Sequence, residues 1–255
     1  MLSEWTKLRT TKSFYWTTGL AFVLAVVFVA LAAAFDTEPD ADTSTVQLIP
    51  SGPGFTTEPN LRMFNTLIHH ARERLILCSP YFVPDDSMLE AITTACYRGV
   101  RVDLLVGEKA DQFMVQHAQS AYYQQLLEAG VHIWQFPAPY VLHSKFAIAD
   151  PVTWTDGPAN PVEDSPAACS TPDSNTAADL HEIAIMGSSN MDMRSFSLNY
   201  ENSLFILDGP LITDLCGLAA AYLSVSRELT LTEWNQRPWS RRYIDNVLKL
   251  TSALQ

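Results

Sequence analysis

The stretch LHSKFAIAD, residues 142–150, places three polar side chains in an otherwise mostly apolar run. If this stretch is a strand, His143 and Lys145 lie on one face, because alternate residues of a strand point to the same side. A strand that carries an imidazole beside an ammonium group gives up burial on that face. The pattern therefore predicts a strand with one polar, functional end.

A second polar cluster follows the apolar run EIAIMG, residues 182–187, where the chain continues as SSN. If the two apolar runs pair as neighbouring strands, Ser188 and Asn190 converge with His143 and Lys145. This set has no metal-ligand spacing and suits a phosphate oxyanion. Lysine neutralises charge, Asn and Ser donate hydrogen bonds, and the imidazole can attack phosphorus or move a proton. The simpler alternative is an ordinary surface His-x-Lys pair without function.

Strand-like and helical patterns alternate along most of the chain. The alternation predicts an α/β sheet with helical cover. Asn60 is the predicted N-cap of the first helix, and Ser87 with Glu90 forms a predicted capping box for the second. The predicted strands are VQLIP (46–50), LILCSPYF (75–82), VRVDLLV (100–106), VHIWQF (131–136), HSKFAIAD (143–150), EIAIMG (182–187) and SLFIL (203–207); the predicted helices cover 60–74, 87–98, 120–129 and 210–229.

The N-terminal part of the chain has the pattern of a membrane anchor. Residues 19–35 form a charge-free apolar run of 17 residues, close to the length that spans a bilayer. Lysine and arginine occur in segment 1–18, and an acidic linker follows at 36–45. By the positive-inside rule, segment 1–18 is cytoplasmic and the domain at 46–255 lies outside. A cleaved signal peptide and a buried core helix are the alternatives.

The segment 151–181 differs from the rest of the predicted domain. It holds five of the chain's 15 prolines, is rich in Ser, Ala, Asp and Asn, and shows no apolar period. We therefore predict a disordered surface insertion between two strands.

The overall charge argues against nucleic acid as the main ligand. The chain carries 16 Lys and Arg against 28 Asp and Glu, a formal net charge of −12. Proteins that bind nucleic acid gain much of their affinity from clustered basic residues.

The two polar clusters together resemble the signature of the phospholipase D superfamily. HSKFAIAD has the form H-x-K-x(4)-D, and GSSN follows it in the chain. With VQLIPSGP, the region from SPYFVPDD to VDLLV, YYQQLLEAGVHIWQF and the region from GSSNMDMR to NSLFI, the chain resembles the C-terminal half of bacterial cardiolipin synthases over roughly residues 46–250. The resemblance implies a mixed sheet flanked by helices, one phospholipase D-like half-domain, here preceded by the N-terminal hydrophobic helix.

The resemblance implies a role for each polar residue of the pocket. His143 matches the histidine that attacks phosphorus and carries the phosphatidyl group as a phosphohistidine. Lys145 and Asn190 match the residues that hold the phosphate oxygens, with Ser188 nearby. Glu201 matches the carboxylate that orients the histidine and fixes its tautomer.

Asp150 completes the motif and belongs to the implied catalytic set, in a role that looks more structural than chemical. No metal ion and no organic cofactor is implied. The implied reaction is the formation of cardiolipin from phosphatidylglycerol at a membrane. Hydrolysis by a phosphodiesterase of the same superfamily is an alternative, and so is a catalytically silent, membrane-bound lipid-binding fragment.

The chain departs from the family pattern in two respects. Family synthases carry two H-x-K motifs at one shared site, whereas this chain has one, so a complete site needs a second chain. That chain would be either a twin copy, giving a homodimer, or a separate first-half subunit. In addition, Asp150 and Gly187 are 37 positions apart here, whereas the family connects the matching positions by a short turn.

Overall fold

A computed structural model describes residues 43–109, 113–152, 154, 181–238 and 247 of the chain. Strands and helices alternate as the sequence predicts. The strands are β1 (Thr45–Ser51), β2 (Arg74–Cys78), β3 (Phe82–Val83), β4 (Arg101–Gly107), β5 (His132–Phe136), β6 (Phe146–Ala149), β7 (Ile183–Gly187), β8 (Met191–Asp192), β9 (Glu201–Asp208) and β10 (Arg227–Leu229). The helices are α1 (Pro59–His70), α2 (Asp86–Tyr97), α3 (Phe113–Ala129), α4 (Met193–Ser197), α5 (Pro210–Val225) and α6 (Leu231–Asn235).

Eight strands form one mixed sheet in the order β1-β9-β7-β6-β2-β4-β5-β10. The neighbours β2, β4 and β5 run parallel to one another, and every other pair in this sheet is antiparallel. β3 and β8 form a separate parallel pair. The predicted α/β class is confirmed, and so is the predicted pairing of the two polar-ended strands, because β6 pairs with β7.

Helices cover both faces of the sheet and give it two apolar cores. Leu75 and Leu77 of β2 pack into the core shared with α1, α2 and α3. Ile76 and Cys78 alternate with them and pack into the core shared with α5. A strand that is buried on both faces is apolar along its buried length, which explains the continuous run LILC after Arg74.

The strand predicted at 143–150 is shorter than expected. β6 covers Phe146–Ala149, and His143 and Lys145 precede it. Both neighbouring strands end here, since Phe146 pairs with Cys78, the last residue of β2, and with Met186, the residue before the end of β7. With no further strand pairing on either side, the chain that carries the polar residues lies beyond the ends of these strands. The prediction that His143 and Lys145 lie on one face of a strand is therefore wrong.

The predicted helix starts need correction. α1 begins at Pro59 after Glu58, so Asn60 lies in the first turn and is not the N-cap. Proline is favourable at this first position because its missing N–H has no partner in a helix. In α2, Asp85 is the N-cap and its carboxylate accepts a hydrogen bond of 2.9 Å from the Met88 N–H, so the capping box at Ser87 is wrong.

The predicted helix ends also need correction. The first predicted helix ends at His70 rather than at residue 74, and the last ends at Val225, after which β10 begins. α3 begins at Phe113, seven residues before its predicted start at Ser120.

Among the described helices, none has the length and apolar character that a bilayer span requires. The predicted anchor at 19–35, most of the acidic linker and most of the 151–181 insertion fall outside the described residues.

Asp150 joins the end of β6 to the start of β2. Its carboxylate accepts hydrogen bonds from the backbone N–H groups of Arg72, Glu73 and Arg74 at 2.8 to 3.1 Å. Its own N–H donates to the Arg74 carbonyl at 2.8 Å. The residue is buried and has a left-handed φ of 49°, a conformation that Asp and Asn tolerate better than most residues.

We expect Asp150→Asn to lower the free energy of unfolding by about 1.5–3 kcal/mol, because hydrogen bonds to a charged acceptor become bonds to a neutral one. Asparagine keeps the shape and the left-handed backbone, so the change isolates the carboxylate. Urea denaturation measures the effect. Asp214→Asn, at an exposed position of α5, is the matched control and should change stability by less than about 0.5 kcal/mol. Equal stability of Asp150→Asn and the wild type would contradict this account.

Candidate active site

A cavity of about 360 Å³ lies at the end of the sheet where β6 begins and β7 ends. The sheet positions the polar residues, because β6 and β7 are neighbours and the polar residues lie just outside these adjacent strand ends. The lining residues are His143, Ser144, Lys145, Phe146, Met186, Gly187, Ser188, Asn190, Leu215 and Leu218.

Lys145 is the buried cation of the cavity, with 8% of its surface exposed. Its Nζ donates to the His143 carbonyl at 2.7 Å and lies 3.4 Å from both ring nitrogens of His143. Burial lowers the pKa of Lys145, and the negative charges of Glu201 and Asp192 oppose that shift. An ammonium group held in this way beside an imidazole is suited to an anionic ligand.

Asp192 is a buried acid near this cation. Its carboxylate caps α4 by accepting a hydrogen bond of 2.6 Å from the Ser195 N–H. Burial raises the pKa of Asp192, and the hydrogen bonds from Ser195 oppose that shift.

Ser188 and Glu201 form a hydrogen-bonded pair at the cavity. The Ser188 hydroxyl donates to the Glu201 carboxylate, whose other oxygen accepts from the Asn199 amide at 3.4 Å. The Asn202 N–H donates to the Ser188 hydroxyl oxygen at 3.1 Å. Within the described residues no hydrogen bond joins Glu201 to His143. The role of orienting His143, which the resemblance implies for Glu201, is therefore not supported by a hydrogen bond among these residues.

Gly187 allows β7 and β9 to approach closely beside the cavity. A Cβ at this position would lie 2.4 Å from the Asn202 carbonyl oxygen and 2.8 Å from the Ser203 hydroxyl. Real side chains do not reach such distances, so the start of the GSSN motif requires glycine. The close approach brings Ser188 to Glu201.

Asn190 completes the polar side of the cavity. Its Oδ1 atom is buried and has no hydrogen-bond partner among the described residues. Buried unpaired polar atoms are rare in folded proteins, and a hydroxyl of a ligand in the cavity would supply the missing donor. His143, Lys145, Ser188 and Asn190 thus meet at one cavity.

The opposite side of the cavity is apolar. Phe146 and Met186 come from the sheet, and Leu215 and Leu218 come from α5. Leu218 keeps 37% of its surface exposed, although it is a large hydrophobic residue. The sequence pattern indicated α5 as a helix, but nothing in it indicated that this helix forms a wall of the site.

The match to known families agrees with this geometry. The family described as "Cardiolipin synthase, PLD-like domain" matches residues 64–216. This chain belongs to that family.

Curated relatives that match the chain are named cardiolipin synthase A. The chain is 34% identical over 214 residues to cardiolipin synthase A of Proteus mirabilis, a match of 84% of this chain and 38% of the relative. It is 35% identical over 210 residues to cardiolipin synthase A of Yersinia pseudotuberculosis, a match of 82% of this chain and 37% of the relative. The chain thus spans less than two fifths of the length of these relatives.

Solved structures show the same fold at low sequence identity. The phospholipase D family member Nuc from Salmonella typhimurium has a TM-score of 0.53 at 16% identity, covering 74% of this chain and 99% of Nuc. Phosphatidylserine synthase from Haemophilus influenzae has a TM-score of 0.54 at 16% identity, covering 84% of this chain and 48% of that chain. At this identity the likeness concerns the fold alone.

Asp150, the last residue of the family motif, lies away from the cavity. The four residues of β6 separate it from Lys145, roughly 16 Å along an extended chain. Its carboxylate is occupied by the backbone at the start of β2. In this member of the family Asp150 therefore holds the strand that carries the site and does not contact the cavity.

We expect Glu201→Gln to lower the pKa of Lys145 further. The negative charge of Glu201 favours the ammonium form of Lys145. Without it, Lys145 loses its proton at a lower pH than in the wild type. Reductive ¹³C-methylation followed by NMR titration measures this, because the chain has only five lysines and Lys145→Arg assigns the signal. Glu90→Gln, at an exposed position on α2, should leave the titration unchanged. An unchanged titration in Glu201→Gln would contradict the coupling.

Proposed function

We propose that this chain is one half of a phosphatidyltransferase of the cardiolipin synthase type. It would form cardiolipin from phosphatidylglycerol through a phosphohistidine on His143. The observation that carries the proposal is the cavity itself, in which an imidazole, a buried ammonium group and an amide face an apolar wall. This combination matches a substrate with a phosphodiester headgroup and acyl chains.

The proposed first step breaks a phosphodiester. The His143 imidazole attacks phosphorus, an N–P bond forms, and the bond between phosphorus and the headgroup glycerol oxygen breaks. Glycerol leaves with a proton. Lys145 neutralises the charge that develops on the phosphoryl oxygens, and the Ser188 hydroxyl and the Asn190 amide N–H groups line the same cavity and would donate hydrogen bonds to those oxygens.

The proposed second step releases the histidine. A headgroup hydroxyl of a second phosphatidylglycerol attacks phosphorus and gives its proton to the group on the second chain that protonated the leaving glycerol. The N–P bond breaks, His143 is released, and cardiolipin leaves. If water attacks instead, the product is phosphatidic acid and the activity is that of a phosphodiesterase. The low exposure of Lys145 and the apolar wall of Leu215 and Leu218 favour the lipid alcohol over water.

The proposed site is completed by a second chain. Two observations support this: the sequence has one H-x-K motif, and the chain spans less than two fifths of the relatives it matches. The missing group is a proton donor for the leaving glycerol, a task that a second histidine would fulfil. A twin copy or a separate first-half subunit would supply it, and the predicted anchor at 19–35 would hold the domain at the membrane.

One observation favours a silent lipid-binding subunit instead. Glu201 contacts Ser188 and Asn199 and no hydrogen bond orients His143 from that side, within the residues described. Such a subunit would bind phospholipid without turnover.

We expect the purified full chain in detergent micelles to convert phosphatidylglycerol into cardiolipin, alone as a dimer or after addition of a first-half chain with its own H-x-K motif. His143→Ala should lower the rate more than about 10³-fold, because removal of a nucleophile disables the whole reaction. His69→Ala, at an exposed position of α1, is the matched control. Lipid mass spectrometry follows the products, and size-exclusion light scattering gives the mass.

Acid-labile phosphate on the His143 peptide would identify the intermediate. Phosphatidic acid as the product in place of cardiolipin would show that the chain hydrolyses phosphatidylglycerol and would overturn the proposed transfer. A well-folded chain that binds phosphatidylglycerol but never turns it over, with or without a first-half chain, would overturn the proposal in favour of the silent subunit.

A further inference from the structure

We propose that Tyr222 of α5 is a positioning residue that fixes the His143–Lys145 segment through Ser144. The inference rests on the proposed function, because it concerns the segment that would carry the chemistry. Tyr222 does not line the cavity, and it lies 78 positions from Ser144 in the chain.

The segment needs support because it lies outside the sheet. β6 begins at Phe146, so His143 and Lys145 have no strand ladder to hold them. The Lys145 carbonyl accepts a hydrogen bond of 3.2 Å from the Gly187 N–H, and the His143 carbonyl accepts one from Lys145 Nζ. The second bond uses one of the three N–H donors of the ammonium group that would hold a phosphate, so it depends on where Nζ lies when Lys145 binds a substrate.

Ser144, between the two functional residues, is held from two directions. Its hydroxyl oxygen lies 2.8 Å from the Tyr222 hydroxyl oxygen. Its carbonyl oxygen lies 3.5 Å from the Cys78 sulfur, which donates to it. Burial raises the pKa of the Cys78 thiol, so the S–H donor is retained over the physiological range. Neither contact competes with a ligand of Lys145.

Tyr222 is itself well fixed. Its ring makes an edge contact with Phe136 of β5, at 5.3 Å between centroids and 69° between planes. α5 is anchored in the second core by buried residues such as Ile212 and Ala219. A hydroxyl on such a ring is a rigid support for a segment that has no ladder of its own.

The same face of α5 also forms the apolar wall of the cavity. Leu215, Leu218 and Tyr222 stand at i, i+3 and i+7, a spacing that places them in one row on a helix. The helix that would contact the acyl part of the substrate therefore also fixes the position of His143. This row links substrate binding to the alignment of the nucleophile.

The test uses Tyr222→Phe, Ser144→Ala and the double variant. Phenylalanine keeps the contact with Phe136 and removes only the hydroxyl. We expect each single variant to lower kcat of phosphatidyl transfer by about 10- to 10²-fold with KM unchanged, because misplacement of a reacting group costs rate rather than binding. The double variant should be no slower than the slower single variant, because both changes break one interaction. Tyr97→Phe, 76% exposed on α2, is the matched control.

Two readouts do not require turnover and separate this inference from the proposed function. Amide hydrogen exchange of the peptide around residues 142–146 should become faster in each single variant, and so should acylation of His143 by diethyl pyrocarbonate, followed by peptide mass spectrometry. If the wild type shows no turnover but both rates rise in the variants, the proposed function fails and the positioning role stands. Unchanged exchange and acylation in Tyr222→Phe, or additive losses in the double variant, would overturn the positioning role.

Discussion

The antiparallel pairing of β6 with both β2 and β7 is the contact on which the rest of the structure depends. It joins the parallel strands β2, β4 and β5 to the antiparallel strands β7, β9 and β1 in one sheet. The two ends of this four-residue strand have different tasks. At one end the Asp150 carboxylate binds three consecutive backbone N–H groups before β2, and at the other end the chain leaves the sheet as the His143–Lys145 segment. The H-x-K-x(4)-D spacing is therefore the length of one strand plus its two ends.

Local charge rather than total charge determines what the cavity can bind. The chain carries a formal net charge of −12, yet its cavity is built around the buried Lys145. Burial lowers the pKa of Lys145, and the negative charges of Glu201 and Asp192 oppose part of that shift. Their attraction acts at short range in a partly desolvated site, where salt screens charges less than at the surface. An acidic protein can thus offer a cationic site to a phosphodiester while repelling polyanions over the rest of its surface.

The sequence predicted the order and type of the helices and strands better than the residues at which they begin and end. Apolar runs identified the strands on both sides of the site, and their pairing followed from the polar residues at their ends. The length of β6 could not be predicted, because it is set by where β2 and β7 stop. The N-cap of α2 was misplaced by two residues, since Asp85 and Ser87 are both good N-cap residues and only the backbone decides between them.

The site shows the same limit more sharply. His143, Lys145, Ser188 and Asn190 carry recognisable chemistry and belong to short motifs, so the sequence could bring them together. Glu201 accepts a hydrogen bond from Ser188, and this partner depends on the close approach of β7 and β9 at Gly187, which the sequence pattern does not indicate. Tyr222 carries no motif at all, and its link to Ser144 exists only because α5 packs across the sheet. Residues that position a site through the tertiary structure leave no local signal.

The described cavity also explains why one chain would carry only half of the chemistry. In the proposed mechanism His143 attacks phosphorus, but a histidine bonded to phosphorus cannot at the same moment protonate the leaving glycerol. Lys145 is the nearest other cation, and its contact with the phosphoryl oxygens would stabilise charge rather than deliver a proton. Asp192 is buried with a raised pKa, but its carboxylate is engaged as the cap of α4. The proposed mechanism therefore requires a separate acid opposite His143, and a second H-x-K motif facing this cavity would provide it.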